Sequence, residues 1–287
     1  MLLSYKRFGE MSALVSVISV TYNNLEGLKK TFQSVISQKC DFAEYLIIDG
    51  GSTDGSGEFI RSHADSLSYW CSEPDNGVYH AMNKGVAHAK GDYLIFMNAG
   101  DVFYNNHVLS DVRDYLRQSM ADFLVGNTVY VDQFGRDKWH RLSPSEITAS
   151  FLFSTALCHQ SIFIKRELLL YEPYDETLKY VSDWKHMFHQ IVFQNRSYQK
   201  LDFYVSIYDF TGMSSTNVQG VADERRNYLQ QCLPKLIYKD YEYYTDYELV
   251  LLDRKKSRKL YDFVQIFLSK NKWYSIKVFL YSLFFRR

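Results

Sequence analysis

Much that would mark a secreted, membrane-spanning or nucleic-acid-binding protein is missing from this chain. Its four cysteines, Cys40, Cys71, Cys158 and Cys232, are scattered and form no CxxC pair. That spacing argues against a disulfide framework or a zinc site and fits a reducing compartment. Charge of one sign is missing too: 33 basic and 33 acidic residues leave a net charge of zero, so no global pull toward nucleic acid is expected. No stretch reaches the roughly 20 apolar residues that span a bilayer. The apolar run from Ala13 to Val20 follows Lys6 and Arg7 but ends in "TYNN", without the small-residue cleavage site of a signal peptide, and its β-branched content reads as a strand. There is no internal repeat and no low-complexity linker. The Gly-rich "DGGSTDGSG" lacks both the Lys of a phosphate loop and the GxGxxG spacing of a dinucleotide loop.

What the chain does have is aromatic material, 24 Tyr and 20 Phe among 287 residues, enough for a large core and for stacking on rings. Its first hundred residues alternate two periods. "LVSVISVT" (14–21), "EYLIID" (44–49), "LSYWCS" (67–72) and "DYLIFMN" (92–98) read as strands. Residues 25–38, about 56–64 and 77–89 read as helices, the first with Leu25, Leu28, Phe32, Val35 and Ile36 on one face. Strands separated by such helices predict βαβ units and an α/β fold, a mostly parallel sheet flanked by helices. Ligands of such sheets bind beyond the carboxyl ends of the strands. The polar turns "TYNN", "DGGSTDGS" and "NAGD" all fall at those ends, so they are expected to meet at one crevice. Farther on, 122–132 and 203–210 read as strands and 182–193 as a helix with Ser182 and Asp183 as N-cap types. From about 221 the pattern is helical.

Candidate residues carry two readings each. Asp49 and Asp101 end strands and suit either turn initiation or contact with a hard cation that takes oxygen ligands. Ser52 and Asp54 suit a helix cap. Asp75, Asn76 and Gly77 make a turn into a helix on which Lys84 is either a solvated side chain or a point charge for a phosphate. Asp183 is either a helix cap or a general base for a sugar hydroxyl. His186 and His189 read as structural, and His159 follows an apolar run and could face the crevice.

Together "VSVISVTYNN", "YLIIDGGSTDGS", "EPDNGVYHAMNKGVAHAKGDYLIFMNAGD" and "VSDWKHMF" resemble the family 2 glycosyltransferases, inverting enzymes of the GT-A fold. The resemblance covers residues 14–104 closely and extends to about 215. It implies a glycosyltransferase domain at 13–215 (a nucleotide-sugar-binding half at 13–104 and an acceptor half at 105–215), leaving a tail at 1–12 and a helical extension at 216–287 outside it. It also implies a metal-dependent transfer from a nucleotide-diphospho-sugar, commonly a UDP-sugar, with Mg²⁺ or Mn²⁺, to a glycan or lipid-linked acceptor of bacterial surface polysaccharide synthesis. By the same resemblance Thr21, Tyr22 and Asn23 would border the base, and Asp49 would touch the base or ribose. Ser52 and Asp54 would belong to the second turn, Asp75 and Lys84 would line the donor side with Asn98, Asp101 would touch the metal, and Asp183 would be the catalytic base. The chain departs from the family pattern at Gly50, where a second acid is common, at Met82, where Arg is frequent, and at Asn98 and Gly100, where Asp is frequent. A cytoplasmic protein is expected. The segment 270–287, with Trp273, Ile276, Leu280, Leu283 and Phe284 at helical spacing, would either rest on the inner face of a membrane or pack on protein. Two rival functions are a nucleotidyltransferase, which would want a basic Gly-rich first loop in place of "TYNN", and a non-catalytic sugar-nucleotide-binding scaffold.

Overall fold

The β-branched run at the start of the chain is a strand with every residue buried, β1 (Val15–Thr21). A computed structural model of the protein describes residues 15–38, 40–132, 136–209 and 217–243. After β1, Asn24 accepts the backbone N–H of Gly27 and so caps α1 (Leu25–Ile36), which buries Leu28, Phe32 and Val35 against the sheet. Ile36, at the end of the same helix, turns outward at 41% exposure. There follow β2 (Ala43–Asp49), α2 (Ser56–Ser62), β3 (Tyr69–Ser72), α3 (Val78–His88) and β4 (Tyr93–Phe96). β1 pairs in parallel with β2 and with β4, and β2 with β3. β1 and β4 are buried along their whole length, as strands covered on both faces are, and the polar residues of β1, Ser16 and Ser19, are buried with hydrogen-bond partners in Glu44, Tyr45 and Met97.

Register sets the site. Thr21 lies opposite Asp49, so the turns after β1 and β2 leave the sheet side by side. Beyond β4 the ladder continues, Met97 N–H to Ile18 O and Ala99 N–H to Val20 O, and carries the turn at 98–101 to the same edge.

The second half is less regular: β5 (Val102–Phe103), α4 (Val108–Gln118), β6 (Phe123–Val131), β7 (Asp137–Arg141), α5 (Ala149–Ser154), β8 (Ile162–Lys165), α6 (Arg166–Tyr171), α7 (Ser182–Val192), β9 (Tyr198–Asp209) and α8 (Val218–Cys232). Among the described residues the sheet order is β3-β2-β1-β4-β8-β6-β9-β5, with β7 paired to β6. The parallel pattern stops at β4. β8 runs antiparallel to it because the chain enters β8 from the crevice side, through 158–161, with no crossover to bring it back to the other end. The last strand is longer than its apolar run, beginning at Tyr198, and it pairs in parallel with β6. α7 is preceded by Val181 as its cap residue, so Ser182 and Asp183 stand inside the first turn rather than capping it.

The chain divides into two compact units, 1–229 and 230–287. α8 up to Leu229 belongs to the first, and a helical stretch at 235–243 belongs to the second. The tail 1–12, the segment "TGMSST" (211–216) and the segment 270–287 lie outside the described residues. No helix among the described residues is long and apolar enough to cross a membrane.

Candidate active site

The strand-end turns open on one crevice of about 960 Å³. Of the residues singled out from the sequence, Thr21, Tyr22, Asp75, Asn98, Asp101, His159 and Asp183 line it; Asn23, Asp49, Ser52, Asp54 and Lys84 do not. Three of the latter, Asn23, Ser52 and Asp54, tie the two loops together, and Asp49 holds the second loop from within. Asn23, in the left-handed region at φ +49°, accepts the N–H of Thr53 at 2.8 Å and donates its own N–H to Ser52 Oγ at 2.7 Å. Asp54 accepts from the N–H of Leu25 at 2.8 Å and from Ser56 Oγ at 2.7 Å, bonds that hold its carboxyl below the usual range, the Ser56 hydroxyl first. Asp49 is fully buried and accepts from the hydroxyl of Ser72 at 2.6 Å and from the backbone and hydroxyl of Ser52. Lys84 points to Glu73, 2.8 Å away, across the start of α3.

Asp183 is held by two donors from separate elements. The Tyr79 hydroxyl donates to Oδ1 at 2.8 Å, and His159 Nδ1 stands 3.0 Å from Oδ2. Burial favours the neutral acid, but the hydrogen bond and charge of His159, with the Tyr79 hydroxyl, outweigh it and hold the Asp183 pKa below its ordinary value. Burial likewise disfavours the imidazolium of His159, yet the Asp183 carboxylate and the charge of Asp101 raise its pKa. A proton on Nδ1 leaves Nε2, which lies 3.4 Å from Asn98 Nδ2, as acceptor in the neutral ring.

Asp101 is 5% exposed, and its Oδ2 accepts from Gln160 Nε2 at 2.8 Å. Gln160 is fixed in turn by Cys158 Sγ, which donates to its Oε1. Burial pushes that thiol up to about 12, so it stays neutral and is no nucleophile. The turn that presents Asp101 is closed by its own N–H on Asn98 O, by Gly100 at φ +111°, and by the Thr31 hydroxyl donating to the carbonyls of Asn98 and Asp101. Asn98 lines the crevice, and its Oδ1 is buried with no hydrogen-bond partner among the described residues, so the lone pairs of that oxygen are unused.

No group of three or more His, Cys, Asp or Glu among the described residues is placed to hold a metal ion. The Asp101 carboxylate, an oxygen ligand steadied by Gln160, fits a hard cation that takes most of its shell from a bound diphosphate.

On the opposite wall, Tyr22 is 66% exposed. Asp75 accepts the N–H of Gly77 at 2.8 Å in the turn that leads into α3. Sequence reasoning missed Tyr79 and Gln160. Tyr79 shares the buried face of α3 with Met82 and Val86, an i, i+3, i+7 pattern that could have pointed it toward the sheet edge.

A family model described as "Glycosyl transferase family 2" matches residues 16–196. An uncharacterized glycosyltransferase of Mycobacterium tuberculosis is 41% identical over 103 residues, 36% of this chain and only 39% of that protein's length. A PGL/p-HBAD biosynthesis glycosyltransferase of Mycobacterium bovis is 31% identical over 175 residues, 60% of this chain and 67% of its own. Among solved structures, S. aureus TarS 1–349 in complex with UDP-GlcNAc superposes with a TM-score of 0.59 at 18% identity, covering 79% of this chain and 70% of that one. The mannosyltransferase PcManGT of Pyrobaculum calidifontis, in complex with GDP-Man and Mn²⁺, gives 0.56 at 18% identity, over 76% and 63%. At those identities the likeness establishes the GT-A fold and nothing finer.

Proposed function

Since the chain belongs to glycosyl transferase family 2, we propose that it moves a sugar, with inversion, from a nucleotide-diphospho-sugar to a hydroxyl of a glycan or lipid-linked saccharide in the synthesis of a bacterial surface polysaccharide or glycolipid. The observation that carries this reading is the meeting of Asp183 and the strand-end Asp101 in one crevice large enough for two substrates. A UDP-sugar is the favoured donor. The solved neighbours carry UDP-GlcNAc or GDP-Man, and the M. bovis relative is named for glycolipid synthesis.

In this reading Tyr22, with Thr21, borders the base, and Asp75 and Asn98 face the rest of the donor. Asn23, Asp49, Ser52 and Asp54 act by bracing the two loops against each other. Lys84 acts, if at all, by leaving Glu73 for a phosphate. Asp183 takes the proton of the acceptor hydroxyl, and that oxygen attacks the anomeric carbon from the face opposite the diphosphate. The C–O bond to phosphate breaks, the nucleoside diphosphate leaves with the electron pair, and the anomeric centre inverts. Asp101 would hold Mg²⁺ or Mn²⁺, which supplies Lewis-acid stabilisation of the leaving diphosphate. Juxtaposing the two substrates lowers the barrier further by making the attack effectively intramolecular. The family resemblance supports a cytoplasmic enzyme; the helical spacing of apolar residues in 270–287 suits either a membrane surface, where a lipid-linked acceptor resides, or packing on protein.

The test is a thermal-shift screen of UDP-glucose, UDP-galactose, UDP-GlcNAc and GDP-mannose with Mn²⁺. One donor should raise the melting temperature by mass action and should be hydrolysed slowly to the nucleoside diphosphate. Stabilisation without any hydrolysis or transfer would favour a sugar-nucleotide-binding scaffold instead.

A further inference from the structure

Three crevice residues, Lys179, Tyr180 and Asp183, come from a single short segment. What holds that segment comes from far along the chain. Glu224, on α8, accepts the backbone N–H of Lys179 on Oε1 at 2.8 Å. On Oε2 it accepts the N–H groups of Tyr180 at 2.8 Å and Val181 at 3.2 Å. Val181 is the residue that caps α7, and it offers no side-chain cap of its own.

The rest of α8 and its lead-in engage the same residues. Asn217 donates to the Tyr180 hydroxyl at 2.8 Å, a Cβ on Gly220 would come within 2.7 Å of the Tyr180 ring, and the Arg225 guanidinium stands 5.1 Å from the centre of the Trp184 ring. All of this lies beyond residues 16–196, which the family model matches.

We propose that Glu224 is a positioning residue: its carboxylate clamps the backbone of 179–181 and so fixes Asp183 against His159 and Tyr79. The functional weight of the clamp rests on the reading of Asp183 as base; the clamp itself does not. A carboxylate suits the task because both of its oxygens accept, and hydrogen bonds to an ionised acceptor are stronger than neutral ones. An amide does not suit it. Glutamine offers one accepting oxygen and turns an NH₂ group toward the remaining N–H donors.

The decisive variant is therefore Glu224→Gln, compared with Ile60→Ala, which removes a fully buried side chain of α2 and loosens the core without touching the clamp. Two measurements need no substrate: amide hydrogen exchange at Lys179, Tyr180 and Val181, and NMR titration of the His159 ring. Glu224→Gln should speed exchange at those three amides at least about tenfold, roughly the effect of losing one 1.4 kcal/mol interaction. It should also lower the His159 pKa toward its ordinary value as Asp183 moves off. Ile60→Ala should do neither. Exchange and titration both unchanged, faster exchange with the His159 titration unchanged, or equal effects in Ile60→Ala would each overturn the proposal. Asp183→Asn separates the two readings: full transfer activity in that variant removes the base assignment and leaves the clamp standing, whereas an unchanged His159 titration in Glu224→Gln removes the clamp and leaves the base.

Discussion

His159 Nδ1 and Asp183 Oδ2 stand 3.0 Å apart, joining the turn before β8 to the first turn of α7 across 24 residues of sequence. The contact fixes the ring by one nitrogen and turns the other toward Asn98. It brings the proposed base to the side of the crevice where Asp101 sits, and most of the expected behaviour of the enzyme follows from it.

Asp183→Asn keeps the volume of the side chain and one accepting oxygen but abolishes the base. Donor binding, read by thermal shift, should persist, while transfer falls by about 10²–10⁴-fold, the usual contribution of a general base. Transfer at the parent rate would remove the assignment.

The pH dependence of the rate is opposite in sign to the stability that His159 contributes. His159 titrates above its ordinary value of 6.5, and while charged it holds down the basicity of Asp183. The value of kcat/KM should therefore rise with pH through a pKa above 6.5, and His159→Gln should remove that limb. Stability from the raised His159 pKa is fully present below 6.5 and is lost as pH rises through its folded value. Stability from the lowered Asp183 pKa is present above 3.8 and is lost as pH falls through its folded value. Melting curves across pH, with and without His159→Gln, would test the second sign.

Metal binding should depend on the donor. Asp101→Ala should abolish the Mn²⁺-dependent part of donor affinity, measured by calorimetry with and without the ion. Asn98→Asp adds a charge where the chain has a neutral oxygen, so it should tighten Mn²⁺ binding in the absence of donor. Equal Mn²⁺ affinity in the two proteins would show that residue 98 does not face the cation.

Gly85 tests the packing of α3 on β1. Helix propensity favours Gly→Ala by about 1 kcal/mol. A Cβ at 85, however, would meet Ile18 Cγ2 at 2.5 Å, and Ile18 is fully buried and β-branched. Overpacking of this kind costs about 1–3 kcal/mol. Denaturant unfolding of Gly85→Ala should thus show a net loss of stability or at best none gained.

The first half of the fold was legible because its strands are short, mostly apolar and rich in β-branched residues, and the helices between them carry apolar faces. The second half was not. β8 has four residues and β5 two, too short for periodicity to speak, and their antiparallel pairing depends on where the chain re-enters the sheet. At the site, Asp101 and Asp183 could be singled out by strand end and helix start. Of the partners that hold them, His159 was in view as a residue able to face the crevice, but Tyr79 and Gln160 were not. Gln160 and Asp101 are 59 positions apart, Tyr79 and Asp183 are 104 apart, and nothing local in either segment encodes the meeting. Lys84 read as either solvated or a point charge for a phosphate; the structure gives it Glu73, eleven residues back, as a partner.

Gly50 has a further consequence. A Cβ there would lie 2.6 Å from Asp75 Oδ2 and 3.3 Å from the Tyr22 ring. The family pattern leads one to expect an acid at 50, and the volume it would need is already claimed by the carboxylate of Asp75. The two positions are thus alternatives for one seat: the negative charge that this chain lacks on the β2 turn arrives instead from the turn into α3. A chain that restored the acid at 50 would have to turn the Asp75 carboxylate aside, so Gly50→Asp alone should cost more than the pair Gly50→Asp with Asp75→Gly, read by denaturant unfolding.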